Sequence, residues 1–182
     1  MENPGGGSMK AAVTRAVCGA AALFATACVT TTTGGDMDAG PTLADREAIE
    51  ATLYRYARGL DRHDPDLYAS AWAEDGEFDL GVTTYEGRDA MRGIITGLID
   101  SSAEAAERGD PPRQLFHMDA NPRVEFLAPD HAIHHAYYLT LVRVGEGPGS
   151  EVDVIAAGSS TDEMRKIDGE WLIVKRTVMN GP

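Results

Sequence analysis

From Leu43 to Leu60 the apolar residues return at helical intervals, with Leu43, Ile49, Leu53, Tyr56, Ala57 and Leu60 gathered on one side. That spacing predicts a first helix. Thr42 or Asp45 can cap it, and Glu47 adds a carboxylate to the first turn, where the helix dipole favours one. His63-Asp64-Pro65 interrupts the pattern. Asp64 can cap a second, short helix whose inward face is Leu67, Tyr68, Ala71 and Trp72. Short strands are expected at Glu77–Leu80 and Thr83–Tyr85. The turn Glu86-Gly87-Arg88 then leads into a third helix, Asp89 to Glu107, which carries Met91, Ile94, Ile95, Leu98 and Ile99.

Beyond Arg108-Gly109-Asp110-Pro111-Pro112 the pattern becomes extended. Leu115–Leu127, Ala132–Val144, Glu151–Lys166 and Glu170–Met179 are rich in Val, Ile, Tyr and Thr. Ala128-Pro129-Asp130, the Gly-rich run 145–149 and Asp168-Gly169 separate them, the last a strong hairpin signal. Helices followed by consecutive hairpins predict an α+β fold, with a curved antiparallel sheet packed against about three N-terminal helices. A sheet closed on one side by helices encloses a pocket.

Composition narrows the function. The chain of 182 residues is one domain long, and its 16 Lys+Arg against 29 Asp+Glu leave a net charge of −13. Phosphate binding needs clustered cations, so nucleic acid is excluded as the main partner. Both cysteines, Cys18 and Cys28, precede the fold, which leaves no disulfide framework and no CxxC zinc site.

The N-terminus reads as an address. Met9, Lys10 and Arg15 form a positive region before the 12 apolar residues Ala16 to Ala27. That stretch is short of the roughly 20 residues a spanning helix needs, and suits a secretory signal. Ala25, Thr26 and Ala27 before Cys28 resemble a bacterial lipoprotein cleavage box, in which the cysteine is lipidated. Residues 1–28 are therefore expected to be a lipoprotein-type signal peptide, with residues 1–8 extraneous or an over-extended start. Residues 29–41 read as a flexible tether and 42–182 as the domain, exported and lipid-anchored in the periplasm or outer membrane of a bacterium.

The stretches ADREAIEATLYRYARGLD, DPDLYASAWAEDGEFD, YEGRDAM, FHMDANPRVEF and TDEMRKIDGEWLIVKRTVMN carry a resemblance to a known family. In that order they resemble the SnoaL-like branch of the nuclear transport factor 2-like superfamily, which implies a cone-shaped α+β domain with a pocket between helices and sheet. Within the branch the chain resembles bile-acid dehydratase and hexachlorocyclohexane dehydrochlorinase and, more remotely, scytalone dehydratase. The resemblance implies that Asp61 in GLDRHD pairs with His117 in LFHMDAN, and that Arg176 in IVKRTVM and Tyr56 complete a catalytic set. No Gly-rich phosphate loop and no GxSxG nucleophile elbow occurs in the sequence, so no cofactor is expected.

Elementary chemistry supports that set. A carboxylate on one imidazole nitrogen fixes the tautomer and makes the other nitrogen a better base. Tyr56 lies five residues before Asp61, about 140° around a helix, so the two converge only if the pocket spans the helix end; Tyr54 is the rival phenol. An arginine on an apolar strand face needs an anion, and Asp61 or a substrate oxygen would serve Arg176. Alternation places His134 with Ala136, Tyr138 and Thr140 on one face, and Val154, Ala156, Gly158 and Ser160 on the next strand. Except for Val154, these are the expected substrate-binding residues. His134 and His135 point to opposite sides and do not form a metal pair.

The expected function is a cofactor-independent lyase or isomerase acting on a small, mostly apolar ring compound. The alternatives are a binding domain that uses the same cone for a hydrophobic ligand or partner, and a structural subunit. Half-apolar strands such as the one carrying Ile133, Leu139, Leu141 and Val144 further predict a homo-oligomer, dimer or trimer.

Overall fold

The computed structural model describes residues 40–179. The leader, Cys28 and the tether up to residue 39 lie outside the described residues, as do residues 180–182.

Helix α1 (Leu43–Arg62) opens on a reciprocal cap: the Thr42 hydroxyl accepts from the Asp45 amide, and the Asp45 carboxylate accepts from the Thr42 amide. It ends at His63, which sits in the left-handed region at φ 53°. Helix α2 (Pro65–Ala69) follows at once, capped by Asp64 and started by a proline at its first position. The tight turn between them depends on Gly59, because a Cβ there would stand 2.5 Å from the Tyr68 backbone. Strands β1 (Trp72–Asp79) and β2 (Thr84–Glu86) precede helix α3 (Arg88–Glu107), and β3 (Arg113–Ala128), β4 (His131–Val144), β5 (Glu151–Ile167) and β6 (Glu170–Met179) complete the chain.

The six strands form one sheet in the order β2-β1-β6-β5-β4-β3. Every pairing is antiparallel except β1 with β6, which is parallel, so the sheet is mixed. That parallel pairing explains a shift from the sequence pattern. Trp72 was expected on the inner face of α2, and β1 only from Glu77. In the structure α2 stops at Ala69 and Trp72 opens β1 opposite Ile173, drawn into extended backbone by a partner 101 residues away.

Irregularities interrupt the long strands. In β3 the register shifts between Ala120 and Arg123, where Asn121 takes φ 51° ahead of Pro122. Edge strands tolerate such a proline, and β3 is an edge. Between β4 and β5 the register shifts at Thr140/Leu141. Extra residues of this kind bend and twist a sheet. The core lies under the helices: Ile49, Leu53 and Leu60 of α1, Tyr68 of α2, Met91 and Ile95 of α3, and Trp72, Met164, Trp171 and Ile173 of the sheet are all buried. Tyr56, Tyr68, Trp72 and Phe78 form an aromatic wall with neighbouring ring centroids 5.2 to 6.4 Å apart.

Candidate active site

Asp61 belongs to the last turn of α1, and His117 to β3, an edge strand of the sheet. The Asp61 Oδ1 meets His117 Nδ1 at 2.8 Å and also accepts from the His117 amide at 2.9 Å. Gln114 locks the same junction by donating to the carbonyls of Asp61 and Leu115, at 2.6 and 2.9 Å. A carboxylate only accepts, so Nδ1 carries the proton in the neutral ring and Nε2 is left as the acceptor. The His117 side chain is 23% exposed and the Asp61 side chain 7%, so the histidine is the accessible member.

His117 lines a cavity of about 360 Å³ between α1 and the sheet, in the size range of small-molecule sites. Its walls are mostly apolar, from Tyr56, Phe78, Leu80, Leu139 and Val178, and its polar groups come from His117, Asp119, Tyr138, Thr140 and Arg176. Tyr56, Arg176, Tyr138, Thr140 and Ala156 therefore surround one space with His117.

Tyr56 contributes its ring as well as its phenol. The Arg176 guanidinium lies 4.2 Å from the ring centroid, a cation–π contact in a buried setting. Burial pushes the Tyr56 phenol above its ordinary range, with Arg176 pulling the other way, so it is a neutral donor. The exposed Tyr54 does not line this cavity.

Arg176 departs from expectation in its partner. Asp61 does not hold it. Arg176 Nη1 donates to Asp162 at 3.0 and 3.3 Å, and Nη2 stands 3.6 Å from Asp119. The reason is register: Asp162 is the direct cross-strand neighbour of Arg176 on β5–β6 and of His134 on β4–β5. His134 Nδ1 meets the other Asp162 oxygen at 2.9 Å. Burial works against charge on Arg176, but the carboxylates of Asp162 and Asp119 favour it, and the guanidinium is held above its ordinary range.

Four expected substrate-binding residues are placed elsewhere. His134 is buried with its Nδ1 committed to Asp162, and Ala136 and Ser160 are buried beside it. At Gly158 the chain is covered: a Cβ would overlap the Met179 carbonyl oxygen and stand 2.9 Å from Tyr138. Val154 falls out of the inward row because the register shift at Thr140/Leu141 resets the alternation, leaving it exposed. Asp119 and Asp162 were not singled out in the sequence, although parity carried the signal. Asp119 is two residues beyond His117, and Asp162 two beyond Ser160.

Residues 41–177 match the family model described as a SnoaL-like domain. Hexachlorocyclohexane dehydrochlorinase 1 of Sphingobium indicum is 25% identical over 134 residues, covering 73% of this chain and 79% of its own. Among solved structures, the hexachlorocyclohexane dehydrochlorinase LinA-type3 of Novosphingobium barchaimii matches at a TM-score of 0.59 and 25% identity, over 75% of this chain and 86% of that one. A Nostoc punctiforme protein with a cystatin-like fold matches at 0.61 and 22% identity, over 76% and 92%.

Proposed function

The chain belongs to the SnoaL-like domain family, and from that premise we propose that it is a cofactor-independent lyase of the dehydratase or dehydrohalogenase type, acting on a small hydrophobic cyclic substrate. One observation carries the reading: a carboxylate-oriented histidine, 2.8 Å from its partner, on the wall of a mostly apolar cavity. His117 Nε2 takes a proton from a ring carbon. The C–H electron pair becomes the new C=C bond, and a hydroxyl or halide leaves the adjacent carbon with its bonding pair. A departing hydroxyl takes the proton back from the imidazolium and leaves as water; a halide leaves as the anion and the proton goes to solvent. Asp61 orients the ring. Arg176 and the neutral Tyr56 phenol face the oxygen or halide on which negative charge develops.

Likeness to a dehydrochlorinase at 25% identity supports the reaction type and leaves the substrate open. The test presents hydroxylated and halogenated cyclic compounds to the protein and follows elimination as loss of water or hydrogen halide by mass. Elimination that disappears in His117→Ala supports the reading. Undiminished elimination in that variant refutes it, and tight binding without turnover makes the domain a binding module instead.

The proposal includes delivery and assembly. Cleavage before Cys28 and its lipidation would tether the domain outside the cytoplasm, and mass spectrometry of the native N-terminus decides it. Self-association is supported by the exposed Tyr137, Val152, Val154 and Ile155 of β4 and β5, whereas the expected Ile133, Leu139, Leu141 and Val144 are half-buried. A monomer by light scattering at micromolar concentration would refute it.

A further inference from the structure

His117 faces two cavities. The second, of about 470 Å³ and more open to solvent, shares Ala57, His117 and Met118 with the first and adds Asp61 to its lining. Its remaining walls are Phe116, Leu141 and Val152 from the sheet, and Tyr54 and Arg58 from α1. The surface is apolar apart from the dyad and one guanidinium.

None of the ion pairs among the described residues includes the guanidinium of Arg58. Its Nε is buried and has no hydrogen-bond partner among the described residues. The group rests instead against the Tyr54 ring, 5.9 Å from the centroid. Arg143, likewise outside those ion pairs, lies 5.7 Å from the Phe116 ring of the same lining. Stacking on an aromatic face leaves the in-plane N–H donors of a guanidinium unused, and their fork matches a carboxylate. A buried donor without a partner is destabilising until something accepts from it.

We propose that this second cavity is the head-group site for an apolar ligand that carries a carboxylate. Arg58 takes the carboxylate, Arg143 adds attraction from the Phe116 side, and Met118, Leu141 and Val152 cover the apolar body. Because His117 lines both spaces, a ligand anchored at Arg58 can extend its ring past the imidazole into the first cavity. This last step rests on the proposed elimination; the binding itself does not.

The experiment compares two probes of the same shape on the full chain, 1-naphthoate and neutral 1-naphthylmethanol, by titration calorimetry. The wild type is expected to bind naphthoate about tenfold or more tighter than the alcohol, with the preference shrinking as salt is raised. Arg58→Gln is expected to abolish that preference while leaving the alcohol's affinity and the melting temperature unchanged, and Arg58→Lys to restore part of it. Equal affinities in the wild type, no naphthoate binding, or a preference that survives Arg58→Gln would each overturn the proposal. So would a preference lost only in Arg176→Met, which would place the carboxylate in the first cavity. The binding arm is read without turnover, so absence of elimination would leave the head-group site standing, and loss of the naphthoate preference would leave the proposed reaction standing.

Discussion

Asp61–His117 and Asp162–His134 are the same contact by distance, 2.8 and 2.9 Å, each through Nδ1. Their surroundings are opposite. Asp61 ends a helix and His117 sits on an edge strand, 23% exposed to the cavities it lines. Asp162 and His134 lie mid-sheet, at 0% and 2% exposure, with Arg176 closing the row. The inner pair lines neither cavity, and its carboxylate holds Arg176 beneath the first one. The outer pair has an acceptor nitrogen to spare. Contact length does not separate the two pairs; access does.

The sharpest way to break that comparison is to remove the inner anion. Asp162→Ala leaves the buried Arg176 and His134 without their carboxylate, and losing one partner of a buried pair costs about 3–5 kcal/mol. Urea denaturation should show that loss, because so large a term moves the midpoint well outside error. A change under about 1 kcal/mol would mean that water reaches the row and that the two pairs are not opposites.

The outer pair should answer in turnover rather than in stability. If elimination is found, His117→Ala is expected to lower kcat by about 10²-fold or more, with a urea midpoint close to wild type. Asp61→Asn should cost a similar factor, and the double variant little more than either alone, because the carboxylate acts through the imidazole. Additive losses would give Asp61 a task of its own, most simply at the second cavity that it also lines.

The contrast also explains what the sequence could reveal. The first and third helices and the four long strands were legible because apolar period and turn residues are local properties, and their observed bounds fall within two residues of the expected ones. The dyad was legible through motif resemblance. Trp72 was misplaced because its strand is made by a parallel partner far along the chain. The Arg176 partner was missed because it depends on register between β5 and β6, which no local pattern fixes. Parity identified the face of β4 but could not foresee the register shift at Thr140/Leu141 that ends the inward row before Val154.

A milder effect is expected at Asp45, where burial again gives a carboxylate its weight. Its oxygens accept from Thr42, from Trp171 Nε1 at 3.0 Å and from Lys166 Nζ at 2.9 Å. Lys166, Thr42 and Trp171 hold the carboxyl well below the usual carboxylate range. A depressed native pKa stabilises the fold above the unfolded value of 3.8, and that contribution is lost as pH falls through the native value. Asp45→Asn should therefore cost about 1–2 kcal/mol at neutral pH, with the gap to wild type closing below about pH 4. A gap that stays constant down to pH 2 would mean that the carboxylate's charge contributes nothing.

Lys175 and Glu77 supply the control, since their 2.7 Å pair is shorter than that of Lys166 and Asp45. Both side chains of the shorter pair are more than a third exposed, whereas Asp45 is nearly covered. The hydrogen bond and charge of Glu77 raise the Lys175 pKa, so any stabilisation is present below the ordinary lysine value and fades only in strong alkali. Solvent and salt screen such a pair. Glu77→Gln should consequently leave the urea midpoint within repeat error from pH 6 to 9, where the pair is fully charged. If it shifted the midpoint as far as Asp45→Asn does, distance would matter more than burial, and the distinction between the two histidine pairs would lose its physical basis.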